Sequence, residues 1–199
     1  MSVGNDVVDL ADPETRLADL HPRWAERVFT PRERAALETS PSRHRLHWAL
    51  WAAKESAYKA RKRLDPQAVF SPRAFEVELQ AAAGVAVGRV LHRGEAFSLE
   101  VRLEDAFVHA VATAPGEAGD RRLSRVERAR GAPGLAARQL AADAIGDALG
   151  LDPAGFRLAG RAPVARHPQH PVDVEVSLSH HGRFVALACL LVSPQPTRV

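Results

Sequence analysis

The sequence predicts an α+β fold made of two similar halves, each a long helix packed on a small antiparallel sheet. Three observations carry this. A helical stretch over Arg43 to Arg63 is followed by four strand-like runs between Ala74 and Ala114. A break rich in Gly and lacking apolar side chains, PGEAGD, then occupies residues 115–120. Beyond it a second helical stretch again precedes alternating runs, and each half holds one strand that opens on Phe-Val, Phe107-Val108 and Phe184-Val185. The expected units are residues 1–115 and 120–195, and the repeated order suggests internal duplication.

Taken in order, VGNDVVDL reads as a short buried strand. PRERAALE suits a helix with Thr30 as N-cap and Pro31 at its first position. The long helix over 43–63 follows, and then AFEVEL, GVAVGRVL, AFSLEVRL and FVHAVATA as strands with Gly or charged turns between them. In the second unit GLAARQLAADAIGDALG has apolar residues at helical spacing and ends on Gly150. GRAP and HPQHP fall in a loop. VDVEVSLS and FVALACLLV are strands joined by a tight His180-His181-Gly182-Arg183 connection.

Composition narrows the class. The chain has 199 residues, 46% hydrophobic and 26% charged, ordinary values for a globular protein. No apolar run approaches the roughly 20 residues that cross a bilayer. The start, MSVGNDVVDLADPE, lacks the basic and apolar regions of a signal peptide, so a cytoplasmic location is expected. Cys189, the one cysteine, lies in an apolar strand and reads as a small buried residue. The formal charge of +3 favours anionic partners but is too small to imply nucleic acid. Lysine occurs only at Lys54, Lys59 and Lys62.

Two acidic residues interrupt apolar patterns. On a helix at about 100° per residue, Trp48, Trp51, Ala52, Glu55, Tyr58 and Lys59 share a face. Glu55 lies in the middle of it. A buried carboxylate costs several kcal/mol unless a cation compensates, so Glu55 is either a metal ligand or the i,i+4 partner of Lys59. Asp6 sits deep in the first strand and caps a turn less readily than Asp9 or Asp12, which precedes Pro13. A strand Asp and a helix Glu that converge would make an oxygen site of the kind magnesium accepts. In VDVEVSLSH, Val172, Val174, Val176, Leu178 and then His180 share one face, with Ser177 and Ser179 on the other. His180 reads either as an edge residue or as a ligand, and Gly182 lets a backbone approach closely.

Two further patterns are weaker. His167 and His170 with His180 and His181 match no standard zinc spacing. The arginines between Arg121 and Arg138 lack interleaved aromatics, so a solvated helix face or a local phosphate site is expected there before nucleic acid.

Together VGNDVVDL, WAAKESAYK and SLSHHGRFVALA resemble the 4'-phosphopantetheinyl transferase superfamily, with VFTPRERAALE similar to the segment between the first two. The resemblance implies that 4'-phosphopantetheine passes from coenzyme A to a serine of an acyl or peptidyl carrier protein, with Mg2+ bound and 3',5'-ADP released. By motif position it makes Asp6 and Glu55 the metal ligands and Glu55 and Lys59 the catalytic pair. Lys59, His180 and Ser179 become coenzyme A contacts, with Arg138 a looser match near the 3'-phosphate. A third acidic ligand of the larger members falls here on Val8. The motif order looks like that of a pseudo-dimer with its halves swapped, which implies a pseudo-twofold relation and a monomer. A catalytically silent module that binds carrier proteins, or an arginine-rich nucleic-acid-binding protein, are the alternatives.

Overall fold

The computed structural model describes residues 2–81, 84–116, 122–160, 162–171 and 173–191. Two five-stranded antiparallel sheets organise them, and they repeat one strand order. The first runs β1-β5-β4-β3-β2 and the second β6-β10-β9-β8-β7. In chain order the first half is β1 (Val3–Asp9), α1 (Trp24–Val28), α2 (Pro31–Thr39), α3 (Arg43–Leu64), β2 (Glu76–Ala81), β3 (Val85–His92), β4 (Glu95–Leu103) and β5 (Phe107–Thr113). The second is β6 (Arg122–Arg128), α4 (Pro133–Leu149), β7 (Arg157–Ala159), β8 (Val164–Arg166), β9 (Val174–His181) and β10 (Phe184–Leu190). Each half therefore sends out one strand, crosses through its long helix, and returns as a meander whose last strand pairs with the first. The predicted α+β class and the two similar halves are found.

The register repeats as well. Asp9 opposes Phe107 where β1 meets β5, and Arg128 opposes Phe184 where β6 meets β10. The rings of Phe107 and Phe184 lie 4.9 Å apart. Contact between equivalent residues is what a twofold relation produces near its axis.

Each half has its own core. In the first, Phe29, Trp48, Phe75, Phe97 and the alanines of α3 are buried against β1, β4 and β5. In the second, Ala137, Leu140, Ala144 and Ile145 of α4 pack on Val174, Val176, Val185 and Leu187. Alternation along β1 then decides what faces what. Val3 and Val7 join Ala186, Ala188 and Leu190 of β10 in the contact between the halves. The even positions face α3, and Val8 belongs to the first core. Gly4 allows the approach of the helix: a Cβ there would lie 1.9 Å from the carbonyl oxygen of Ser56.

Sequence and structure differ in two places. Residues 122–128 form a strand, not the solvated helix face expected, because β10 supplies a wholly buried partner and needs only Leu123 and Val126 in return. Its arginines are engaged: Arg122 pairs with Glu100, Arg125 with Asp147 at 3.2 Å, and Arg128 lies over the Phe184 ring. The loop holding GRAP and HPQHP contains β7 and β8, three residues each and too short for a visible alternation. Within the expected boundary, residues 117–120 lie outside those described, as do Arg121, Val172 and the end of the second unit after residue 191. Cys189 is buried in β10 and unpaired, as expected.

Candidate active site

Asp6, Glu55 and Lys59 come together where β1 crosses α3. Asp6 points from the even face of its strand, and Lys59 Nζ donates to Asp6 Oδ1 at 2.8 Å and to the carbonyl oxygen of Asn5 at 3.0 Å. The i,i+4 pair between Glu55 and Lys59 is not formed, because the strand brings a carboxylate closer to the ammonium than the helix does. Glu55 accepts no hydrogen bond among the described residues, although its carboxyl is largely buried. Burial first, then the neighbouring charge of Asp6, pushes its pKa up to about 7, against a smaller pull from Lys59. Two carboxylates here share one ammonium, already committed to Asp6. A hard divalent cation suits that donor set: oxygen ligands, net negative charge, and one carboxylate with its lone pairs unused. Val8, at the position of a third acidic ligand, is 2% exposed in the first core.

The remaining lysine of WAAKESAYK has a different task. Lys54 is fully buried and donates to Glu33 Oε1 at 2.8 Å and to the carbonyl of Phe75. Glu33 also accepts from the Thr30 and Val77 backbone N–H groups, at 2.7 and 2.8 Å, closing the capping box that starts α2. The N-cap expected at Thr30 is present. Burial lowers the Lys54 pKa, opposed by Glu33.

The second half supplies another cleft. His180 is exposed at the end of β9 and lines, with Arg138, Gly134, Gly160, Pro163 and Leu178, a space of about 450 Å3. Arg138 Nη1 and Nη2 donate to the carbonyls of Gly134 and Gly160, at 3.1 and 3.3 Å, so the guanidinium is held across the cleft floor. Ser179 does not join them. Alternation turns it to the other face, where it is 6% exposed and its hydroxyl donates to Asn5 Oδ1 at 2.7 Å. The Ser179 hydroxyl, expected as a coenzyme A contact, here serves a contact between the halves. Gly182 serves the same contact. At φ +51 a Cβ there would lie 2.6 Å from Asp9 Oδ2, so the glycine makes room for Asp9.

Asp9 was legible only as a turn cap, yet it joins the halves. It accepts from Arg183 Nε and Nη2 at 2.7 and 2.6 Å, and from the Arg183 backbone at 2.9 Å. Burial opposes its ionisation, but these bonds outweigh it and hold the carboxyl at about 2. His167 Nε2 is bonded to the Asp152 carbonyl, and His181 Nδ1 accepts from Asp9 N. Asp12, Glu14 and His181 have ligand atoms within 4.8 Å of one another, at the turn beside Asp9.

A model of the 4'-phosphopantetheinyl transferase superfamily matches residues 2–113, more than half of the 199. The chain belongs to that superfamily. The match contains Asp6, Glu55 and Lys59 and ends before Arg138 and His180. Comparison with curated protein sequences returns no match. A solved holo-[acyl-carrier-protein] synthase from Thermotoga maritima is 21% identical, covers 65% of this chain and 70% of its own, and superposes with a TM-score of 0.42. No helix among the described residues is long and apolar enough to cross a membrane.

Proposed function

We propose that this transferase moves 4'-phosphopantetheine from coenzyme A to a serine hydroxyl of an acyl or peptidyl carrier protein, with Mg2+ held by Asp6 and Glu55. The observation that carries the reading is the unpartnered Glu55 carboxylate beside Asp6, inside the segment that matches the superfamily. Magnesium, when bound, neutralises pyrophosphate charge at the reacting phosphorus. The chain's own groups do the rest. Lys59 exchanges part of its contact with Asp6 for a phosphate oxygen and stabilises charge on the departing 3',5'-ADP. His180 and Arg138 hold the nucleotide phosphates in the second cleft. The carrier hydroxyl attacks the pantetheine-side phosphorus, the P–O bond to the ADP portion breaks, and the serine proton passes through a water to Glu55. Positioning and charge neutralisation supply most of the acceleration in such a transfer.

The first half, residues 1–115, is the metal side of this scheme and the second, 120–195, the coenzyme A side. Incubation with coenzyme A, Mg2+ and an apo-carrier should raise the carrier's mass by one phosphopantetheine arm; no gain with either acyl or peptidyl carriers overturns the proposal. His180→Ala should raise KM for coenzyme A roughly tenfold, the worth of one charge-assisted phosphate bond, with a smaller change in kcat. A kcat lost at unchanged KM would move His180 from binding to chemistry. Because the two halves already bury β1 against β9 and β10, the active species should be a monomer in light scattering. An obligate trimer, inactive when dissociated, would contradict the assignment of the second half.

A further inference from the structure

Asn5 is fully buried in the middle of β1, and each of its polar groups is used. Its backbone N–H donates to Ser177 Oγ at 2.9 Å and Nδ2 donates to the Ser177 carbonyl at 2.6 Å. Oδ1 accepts from Ser179 Oγ at 2.7 Å and faces His109 Nε2 at 3.2 Å. Its carbonyl accepts from Lys59. Because Nδ2 is spent on Ser177, the ring beside Oδ1 must donate, which places the proton of His109 on Nε2. Burial pushes the His109 pKa down to about 3, so the imidazole is neutral.

We propose that Asn5, clamped by His109, Ser177 and Ser179, is a positioning residue that fixes the register of β1 on β9. It thereby sets where the Asp6, Glu55 and Lys59 cluster stands relative to the His180 and Arg138 cleft. The inference rests on the transfer reading above, since it concerns how the two parts of that site are held in step. Asp6 follows Asn5 directly, and His180 follows Ser179 directly. A slip of one residue would carry His180 about 3.3 Å along the strand and turn its neighbours to the opposite face. The apolar part of the contact does not by itself prevent this: Val3 and Val7 pack with Phe184, Ala186, Ala188 and Leu190 of β10, and those two clusters hold no residue of β9. Directional bonds to a buried amide do prevent it, because a shifted strand leaves Asn5, Ser177 and Ser179 unpaired. Arg183 grips Asp9 farther along the same face.

The test compares Asn5→Leu, which keeps the volume and removes the polar groups, with Val7→Ala, which weakens the same contact outside the network. Two readouts are taken with the full chain. One is kcat and KM for coenzyme A with Mg2+ and an apo-carrier. The other is the distance distribution between nitroxides at Ala35→Cys and Gln139→Cys, exposed positions on α2 and α4, Cys189 being buried. Asn5→Leu should lower kcat at saturating coenzyme A roughly tenfold or more and broaden or shift the distances, since displacements near 1 Å can cost a hundredfold. Val7→Ala should keep both readouts within about twofold of wild type, as expected for a change that spares the directional bonds. Ser179→Ala removes one bond from Oδ1 and should move both readouts in the same direction by less; it decides the matter if Asn5→Leu does not fold. Activity lost by Asn5→Leu and Val7→Ala alike, only in step with their folded fraction and at unchanged distances, overturns the lock. A wild-type protein that transfers to no carrier defeats the transfer reading, and the distance comparison still decides the lock.

Discussion

Glu55→Gln should lower transfer on the order of a hundredfold or more while making the metal-free protein more stable at alkaline pH. The two effects have one cause. Burial and Asp6 hold the Glu55 carboxyl at about 7 instead of its ordinary 4.5. Between those values the folded chain keeps a proton that the unfolded chain has lost. Stability therefore falls as pH rises from about 4.5 through 7, and above 7 the loss is complete and constant. Glutamine carries no such charge, so the variant's advantage should be absent below pH 4.5 and grow to about 1–3 kcal/mol by pH 8, an upper range taken from roughly two and a half pK steps. Urea midpoints in chelator at the two pH values measure it. Added Mg2+ should erase the advantage by stabilising only the wild type. A residue that harms the resting fold and is indispensable to turnover is held for its function. The contrary result is a variant that is no more stable at pH 8 and turns over at nearly the wild-type rate, which would leave Glu55 a rim carboxylate.

How much of this was legible follows from what each signal measures. Periodicity found α3 and α4, because a helix with one buried stripe writes that stripe every three to four residues. It missed β6, where five of seven residues are polar and the apolar demand is met by β10. It could not tell Asp6 from Asp9 by type, only by parity, and parity does carry the answer: one faces α3 and the other the second half. Asp6, Glu55 and Lys59 were recoverable because motif spacing on a strand and a helix is local. The contact that Ser179 makes with Asn5 is not legible, for the complementary reason. Which face of β9 meets solvent depends on the packing of β1, more than 160 positions earlier in the chain, and no local pattern records it. The buried set Asn5, His109, Ser177 and Ser179 went unread likewise, since each residue is unremarkable until the halves meet.

Lys54 draws a second line between fold and function inside one motif. Lys54→Met should cost about 3–5 kcal/mol of stability, the range for a buried ion pair that loses one partner, because Glu33 is left as an uncompensated buried charge. Glu33 is 3% exposed and holds Thr30, Val77 and Lys54 at once, so the loss should reach α2 and the start of β2 together. Adding Glu33→Gln to Lys54→Met should recover about 1–3 kcal/mol, because glutamine removes the charge and keeps an acceptor for the capping box. Denaturant midpoints for the two single variants and the double variant give the coupling between them. Well below its midpoint, Lys54→Met should turn over within a few fold of wild type per folded molecule, whereas Glu55→Gln, one residue on, should not. The neighbours differ because successive helix positions point about 100° apart: Lys54 faces α2 and Phe75, and Glu55 faces β1 and Asp6. Near-normal stability with turnover abolished in Lys54→Met would instead put its ammonium on the substrate and dissolve the structural role.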